Sequence, residues 1–158
     1  MMKYSLSKTV FEKLLKQLVA IEEKNTNLSK HFNSDRNQSE FAKIMELYTL
    51  ELRELIESAT QFESDDTSVP FVVIGSDVKV RDLDSNELNI YHITTPEVYQ
   101  AGENDVTLLS PIGKALLMKE AGVSVDIRIP SGMIHYRIES ISLNSEIDIE
   151  NLFSYVNK

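Results

Sequence analysis

The sequence predicts an α+β protein in two parts: an antiparallel coiled-coil helical hairpin, then an antiparallel sheet with one helix against it. Three observations carry this. All five glycines and all four prolines lie at or beyond Pro70, so the first 64 residues contain no chain breaker. Within those residues, apolar side chains recur at alternating intervals of three and four. After Pro70 the pattern changes to short β-rich runs bounded by Gly, Pro, Asn and Asp.

The helical half has two seams. Phe11, Leu14, Leu18, Ile21, Asn25, Leu28 and Phe32 form the first, and Phe41, Met45, Tyr48, Leu52, Leu55, Ala59 and Phe62 the second. Each keeps a strict heptad spacing, which buries one stripe of a helix against a partner. Between them "NSDRNQS", residues 33–39, is rich in turn formers and helix caps. Two seams of equal length joined by so short a link fold back on each other, so a hairpin spans 1–64 with its tip at 33–39. At 1.5 Å per residue an arm from about Thr9 to Phe32 projects roughly 35 Å. Asn25, polar within the seam, is suited to fixing register at some cost in stability. A dimerisation or packing element has the same pattern.

The second half, residues 70–158, begins after a polar junction, "FESDDTSV" at 62–69. Strands are expected in "PFVVIGSDVKVRDL", "ELNIYHITT", "DVTLL", "VSVDIRIP" and "MIHYRIESI". "PSG" at 130–132 turns Val123–Ile129 back onto Met133–Ile141. One helix is expected from Pro111 to about Ala121: Ser110 can cap it, proline suits its first position, and Gly122 ends it. In the tail, Ile149, Leu152, Phe153 and Val156 make a short amphipathic helix beginning near Ser145, either packed on its own domain or used for docking.

Composition limits function. With 158 residues, 42% hydrophobic and 26% charged, the chain has the makeup of a soluble globular protein of one or two small domains. The absence of cysteine removes disulfides, thiolate catalysis and zinc–thiolate sites. Lysines interrupt the apolar pattern of "MMKYSLSKTVFEKLLKQ", so no signal peptide is expected. No run approaches the roughly 18 apolar residues of a membrane span, and a cytoplasmic protein without membrane partners is the expectation. Residues 65–158 carry seven Lys/Arg against fifteen Asp/Glu, a net of -8 out of the chain's -9. That balance disfavours direct binding to double-stranded DNA. It suits either a basic protein partner or a simply solvated surface.

Chemistry-bearing motifs are scarce. His31, His92 and His135 are far apart and none stands at metal-ligand spacing. No glycine-rich phosphate loop is present and no nucleophile is paired with a base. No catalytic residue is therefore assigned, and no cofactor. The projecting tip carries Asp35, Arg36 and Glu40. Carboxylates at the end of a thin projection can lend oxygen ligands to a Mg²⁺ ion held elsewhere, so Asp35 and Glu40 are weak metal candidates. Asp35 and Ser39 serve equally well as caps for the second helix.

These pieces together resemble the GreA/GreB transcription elongation factors and their shorter Rnk relatives. "VIGSDVKVRDLDSNELNIYHI", "DVTLLSPIGKALLMKEAGVSVDI" and "IPSGMIHYRI" carry the likeness through residues 72–141. Over residues 9–62 it is one of architecture. The resemblance implies an FKBP-like C-terminal domain that grips RNA polymerase near its secondary channel, with the hairpin entering that channel. It makes Leu109, Ser110, Pro111 and Ile112 the partner-binding element. It also implies that the protein is not itself an enzyme, since polymerase performs the transcript hydrolysis. The tip departs from the cleavage-competent pattern of Asp, Glu three residues later, and then Glu-Tyr. Here "SDRNQSEF" matches the last pair as Glu40-Phe41, while an ungapped match places Ser34 and Asn37 at the acidic positions. Leu109 is closer to the Rnk pattern than to the Gre pattern. The expected function is modulation of transcription by occupying the channel without strong cleavage activity. The alternatives are a cleavage factor in which Asp35 and Glu40 hold a Mg²⁺ shared with the polymerase, and a non-polymerase protein with a dimerising hairpin.

Overall fold

The computed structural model describes residues 4–31, 36–95 and 104–144, with side chains of 24–31 and 36–39 left aside. Two compact units meet between Asp66 and Thr67.

The first unit contains strand β1 (Ser5–Ser7), helices α1 (Lys8–His31) and α2 (Arg36–Ser58), and strand β2 (Thr60–Phe62). Ser7 starts α1: its Oγ accepts from the Val10 N–H at 3.2 Å, satisfying one of the unpaired donors of the first turn. β1 leads straight into α1, α2 leads straight into β2, and the two strands lie side by side in parallel, with Ser5 opposite Thr60. Only four residues separate α1 from α2, too few to span either helix, so the helices run in opposite directions, and the chain reverses after Ser58 for β2 to lie parallel to β1.

Their packing corrects the predicted seam of α1. Val10, Leu14, Gln17 and Ile21 are the buried stripe, together with Leu18, while Phe11 lies on the flank, half buried. Leu14, Leu18 and Ile21 are buried as the heptad places them; the stripe takes Val10 in place of Phe11 and adds Gln17, a polar residue that a count of apolar positions passes over. Gln17 is 1% exposed and its Oε1 accepts a hydrogen bond from the Tyr48 hydroxyl, which lies fully buried on α2. The pairing keeps two polar groups in a dry seam from being left unsatisfied. On α2, Phe41, Met45, Tyr48, Leu52 and Leu55 are buried as the heptad predicts. The end of that seam differs: α2 stops at Ser58, Ala59 follows it, and Phe62 stands exposed in β2. The predicted turn also shortens, because Arg36 to Ser39 belong to α2. Asn25 and Leu28 fall among the side chains left aside, and Phe32, Asp35 and the tail 145–158 lie outside the described residues.

The second unit is a five-stranded sheet in the order β5-β4-β3-β7-β6, made of β3 (Asp77–Asp82), β4 (Leu88–Thr94), β5 (Asp105–Thr107), β6 (Ser124–Ile129) and β7 (Gly132–Ser142), with helix α3 (Pro111–Leu116). The sheet is mixed rather than antiparallel, since β5 pairs with β4 in parallel, His92 opposite Asp105. No tight turn joins these two strands. Residues 95–104 separate them in sequence, as a parallel pair requires a longer connection than a hairpin turn. The other pairs are antiparallel. β6 and β7 form the expected hairpin around Pro130 and Ser131, closed by Ile129 opposite Gly132, whose φ is 138°.

Two predicted elements are shorter than expected. The run "PFVVI" is not sheet: Phe71–Ile74 are buried, but Val72 bonds to the segment after α3, its N–H to the Lys119 carbonyl and its carbonyl to the Met118 N–H, both at 2.9 Å. That same pairing ends α3 at Leu116 rather than near Ala121. Residues 118–119 spend their backbone groups on a neighbouring segment, and Met118 takes a φ of 70°. Gly122 does have the positive φ its role as a stop required, 91°, but within a turn that feeds β6. The buried residues of this unit include Val78, Val80, Val125, Ile127, Ile138 and Ile141 on the strands and Val72, Ile74, Leu116 and Leu143 outside them.

Candidate partner-binding site

The element at Leu109–Ile112 is built outward from β5. Leu108, wholly buried, anchors it and donates to the Thr94 carbonyl at 2.9 Å. Ser110 then closes a knot. Its N–H and its hydroxyl both donate to the Thr107 carbonyl, at 3.0 and 2.7 Å, and its Oγ accepts from the Gly113 N–H at 3.0 Å. With φ -72° and ψ 159° the residue is extended, as an N-cap must be, and Pro111 occupies the first helical position. Leu116 in turn buries α3 against the sheet.

Sequence reasoning missed Gly113. A Cβ at this position would sit 1.9 Å from the Thr107 carbonyl oxygen, so only glycine lets the helix start approach β5. The signal was present as a glycine inside a predicted helix, which normally costs about 1 kcal/mol and so calls for a packing reason.

The outcome is a helix start with Pro111 exposed and Leu109 and Ile112 half buried. None of these side chains titrates or ligates. The arrangement presents a largely apolar surface.

The tip residues are placed differently. Arg36 opens α2 and Glu40 lies in its second turn, half buried, whereas Asp35 is outside the described residues. Among the described residues no group of three or more His, Cys, Asp or Glu side chains could hold a metal ion. No described helix is long and apolar enough to cross a membrane.

Titratable groups gather on the sheet instead. His92 Nδ1 lies 2.9 Å from Asp77 Oδ1, and His135 Nδ1 lies 2.6 Å from Asp126 Oδ1. Glu139 receives the Nε–H of Arg81 at 3.1 Å and of Arg137 at 3.0 Å, and these bonds hold its carboxyl below the usual range, Arg137 contributing most. On the core side the Tyr91 and Tyr136 hydroxyls are 2.6 Å apart, and burial above all pushes the Tyr136 phenol far above its ordinary value.

For His135 the hydrogen bond to Asp126 raises the imidazole above its ordinary 6.5, with Asp84 and Asp82 adding to it. A raised folded value means that the folded state prefers the protonated ring. The stabilisation is complete below pH 6.5 and lost as pH rises through the folded value. Thermal melts across that interval should show the wild type losing a small advantage over His135→Gln. An advantage independent of pH would refute the pairing.

Residues 67–143 match the family described as transcription elongation factor GreA/GreB, C-terminal. GreA of Dehalococcoides mccartyi is 34% identical over 92 residues, 58% of this chain and 59% of that protein, so this match spans less than two thirds of the relative. GreA of Clostridium kluyveri is 29% identical over 134 residues, covering 85% of this chain and 84% of that one. Among solved structures, the GreA/GreB factor from Nitrosomonas europaea is similar at a TM-score of 0.46 and 18% identity, over 90% of this chain and 99% of the other. The family match falls on the unit that carries the Ser110–Gly113 knot, and that unit belongs to the GreA/GreB C-terminal family of transcription elongation factors.

Proposed function

We propose that this protein binds RNA polymerase at its secondary channel through Leu109, Ser110, Pro111 and Ile112, and modulates elongation by occupancy without strong stimulation of transcript cleavage. In this reading the second unit is an FKBP-like docking domain, and α1 and α2 form a coiled-coil hairpin that enters the channel. The observation that carries it is the knotted helix start, which fixes the shape in which Leu109, Pro111 and Ile112 are presented. The protein is then a modulator and not an enzyme, because the tip sequence retains at most one carboxylate at the positions where cleavage factors carry an acidic pair. Hard cations need several oxygen donors, and a single carboxylate is a poor supplier.

The test uses a backtracked elongation complex. Added protein should leave transcript cleavage near the level of polymerase alone, and should reduce the cleavage stimulated by a genuine Gre factor, as a competitor for the same entrance must. Ser110→Ala with Pro111→Ala removes a cap worth about 1 kcal/mol, so the fold should survive while competition weakens. If a folded double variant competes as well as the wild type, the docking assignment is wrong. Strong cleavage that disappears in Asp35→Asn, with binding retained, would replace this reading by one in which Asp35 and Glu40 hold a Mg²⁺ ion.

A further inference from the structure

The sheet ends in two edge strands, β5 with 3 residues and β6 with 6. An edge strand offers unpaired backbone groups to any other strand, and proteins commonly guard it with lysine, proline or a bulge. β6, "SVDIRI", contains neither lysine nor proline, and its ladder with β7 keeps one register from Ser124 to Ile129.

The hairpin decides which backbone groups of β6 are already spent. Ile129 and Gly132 flank a two-residue turn and so form a hydrogen-bonded pair. At the other end of the ladder the Ile138 N–H donates to the Val123 carbonyl at 2.9 Å. Alternation between these points aims the N–H and C=O groups of Val125, Ile127 and Ile129 at β7, and those of Ser124, Asp126 and Arg128 away from it. Among the described residues no hydrogen bond reaches that outward row.

Side chains alternate along the same strand. Val125 and Ile127 are buried, whereas Asp126 and Arg128 are exposed. Asp126 Oδ1 lies 2.6 Å from His135 Nδ1, and its side chain is still 67% exposed. Arg128 makes no ion pair among the described residues.

An acid and a base two residues apart make this edge complementary to itself. Consider β6 paired antiparallel with β6 of a second copy about a two-fold axis at Ile127. Asp126 then stands opposite Arg128 of the second copy, and Arg128 opposite its Asp126. These are the residues whose backbone groups point outward, so each ion pair coincides with a pair of main-chain hydrogen bonds. Shifting the axis to Asp126 sets that carboxylate against its own copy, and shifting it to Arg128 does the same to the guanidinium; like charges directly opposite are destabilising. A slip of one residue sets outward groups against spent ones.

We propose that β6 pairs with β6 of a second copy of this chain, in the register centred on Ile127, joining the two sheets into one. The pairing does not depend on the polymerase-binding reading. A few backbone bonds and exposed ion pairs make a small interface, so association is expected at about 10 μM to 1 mM and not at nanomolar concentration.

Sedimentation equilibrium of the full chain over that range is the test. The wild type should pass from monomer to dimer, less readily at high salt, where exposed charges are screened. Asp126→Arg and Arg128→Asp each set like charges opposite one another and should each weaken the dimer about tenfold. Mixed in equal amounts, the two variants should associate again, because every arginine then meets an aspartate. Circular dichroism establishes that each variant is folded. Arg128→Asp removes no ion pair of the described chain, so it carries the comparison by itself should Asp126→Arg not fold.

A wild type that stays monomeric at about 1 mM overturns the proposal. A dimer undiminished in Arg128→Asp also overturns it and places association elsewhere, such as the exposed Leu47 and Leu50 of α2. Variants that are weakened but do not recover on mixing overturn it in favour of a general effect of charge.

Discussion

Gly113→Ala should destabilise the second unit by at least ~3 kcal/mol, near the upper end of what overpacking costs. The added Cβ would meet the Thr107 carbonyl oxygen at 1.9 Å, the Thr107 carbonyl carbon at 2.8 Å and the Leu108 Cα at 3.1 Å. These are backbone atoms and cannot rotate away. Thr107 is itself held by two hydrogen bonds from Ser110 and by its place in β5. Either the helix start lifts off the sheet, which exposes Leu116, or the knot breaks. Urea denaturation would measure the loss, and Gly122→Ala provides the comparison. Nothing lies within 4 Å of a Cβ at Gly122, but its φ of 91° is one that L residues avoid. That strain costs about 1–2 kcal/mol. Gly113→Ala should therefore be the worse of the two, and the opposite order would mean that the close approach of α3 to β5 is wrong. Where enough folded protein remains, polymerase binding should also be lost, since the displaced residues are Leu109 to Ile112.

Leu52→Ala should cost about 2–5 kcal/mol, the range for truncating a fully enclosed leucine. Leu52 is 0% exposed, on the stripe of α2 shared with Tyr48 and Leu55. Two residues away Leu50 is 53% exposed, on the opposite side of the same helix. Leu50→Ala should stay within about 0.5 kcal/mol of the wild type, as exposed substitutions usually do. The pair of variants compares the same chemistry in one helix, so propensity cancels and burial alone is measured. Equal losses would show that α2 does not pack through the stripe beginning at Phe41. A helix pair weakened at Leu52 should also project less rigidly, and its competition with a Gre factor should decline alongside its stability.

Much of this architecture could be read in the chain, and the misreadings have identifiable causes. The seam of α2 was legible because its heptad positions Phe41, Met45, Tyr48, Leu52 and Leu55 are all apolar or aromatic and all buried. In α1 the buried Leu14, Leu18 and Ile21 were legible, whereas Gln17 was not, because it is polar and its burial is made tolerable by partners such as the Tyr48 hydroxyl across the seam. Strands β1 and β2 left no trace, being three residues each, too short to show alternation. They form because the helices bring their ends together. The helix start was legible through Ser110 and Pro111, whose local chemistry favours one. Its rigidity was not, because that depends on Gly113 meeting Thr107 across the loop.

By itself the sequence determined the division into a breaker-free helical half and a β-rich half, the helix start at Ser110 and Pro111, and the β6–β7 hairpin. Each of these depends on interactions within a few residues: caps, turns and the periodicity that side-chain direction imposes. Only the tertiary structure decided the parallel entry of β5, the early end of α3 at Leu116, and the company of Lys79, Arg81 and Arg137 beside Leu88 and Ile90. These depend on which distant backbone groups find one another, and such pairings are chosen by the burial of the whole core. A residue's own neighbours in the chain carry no record of them.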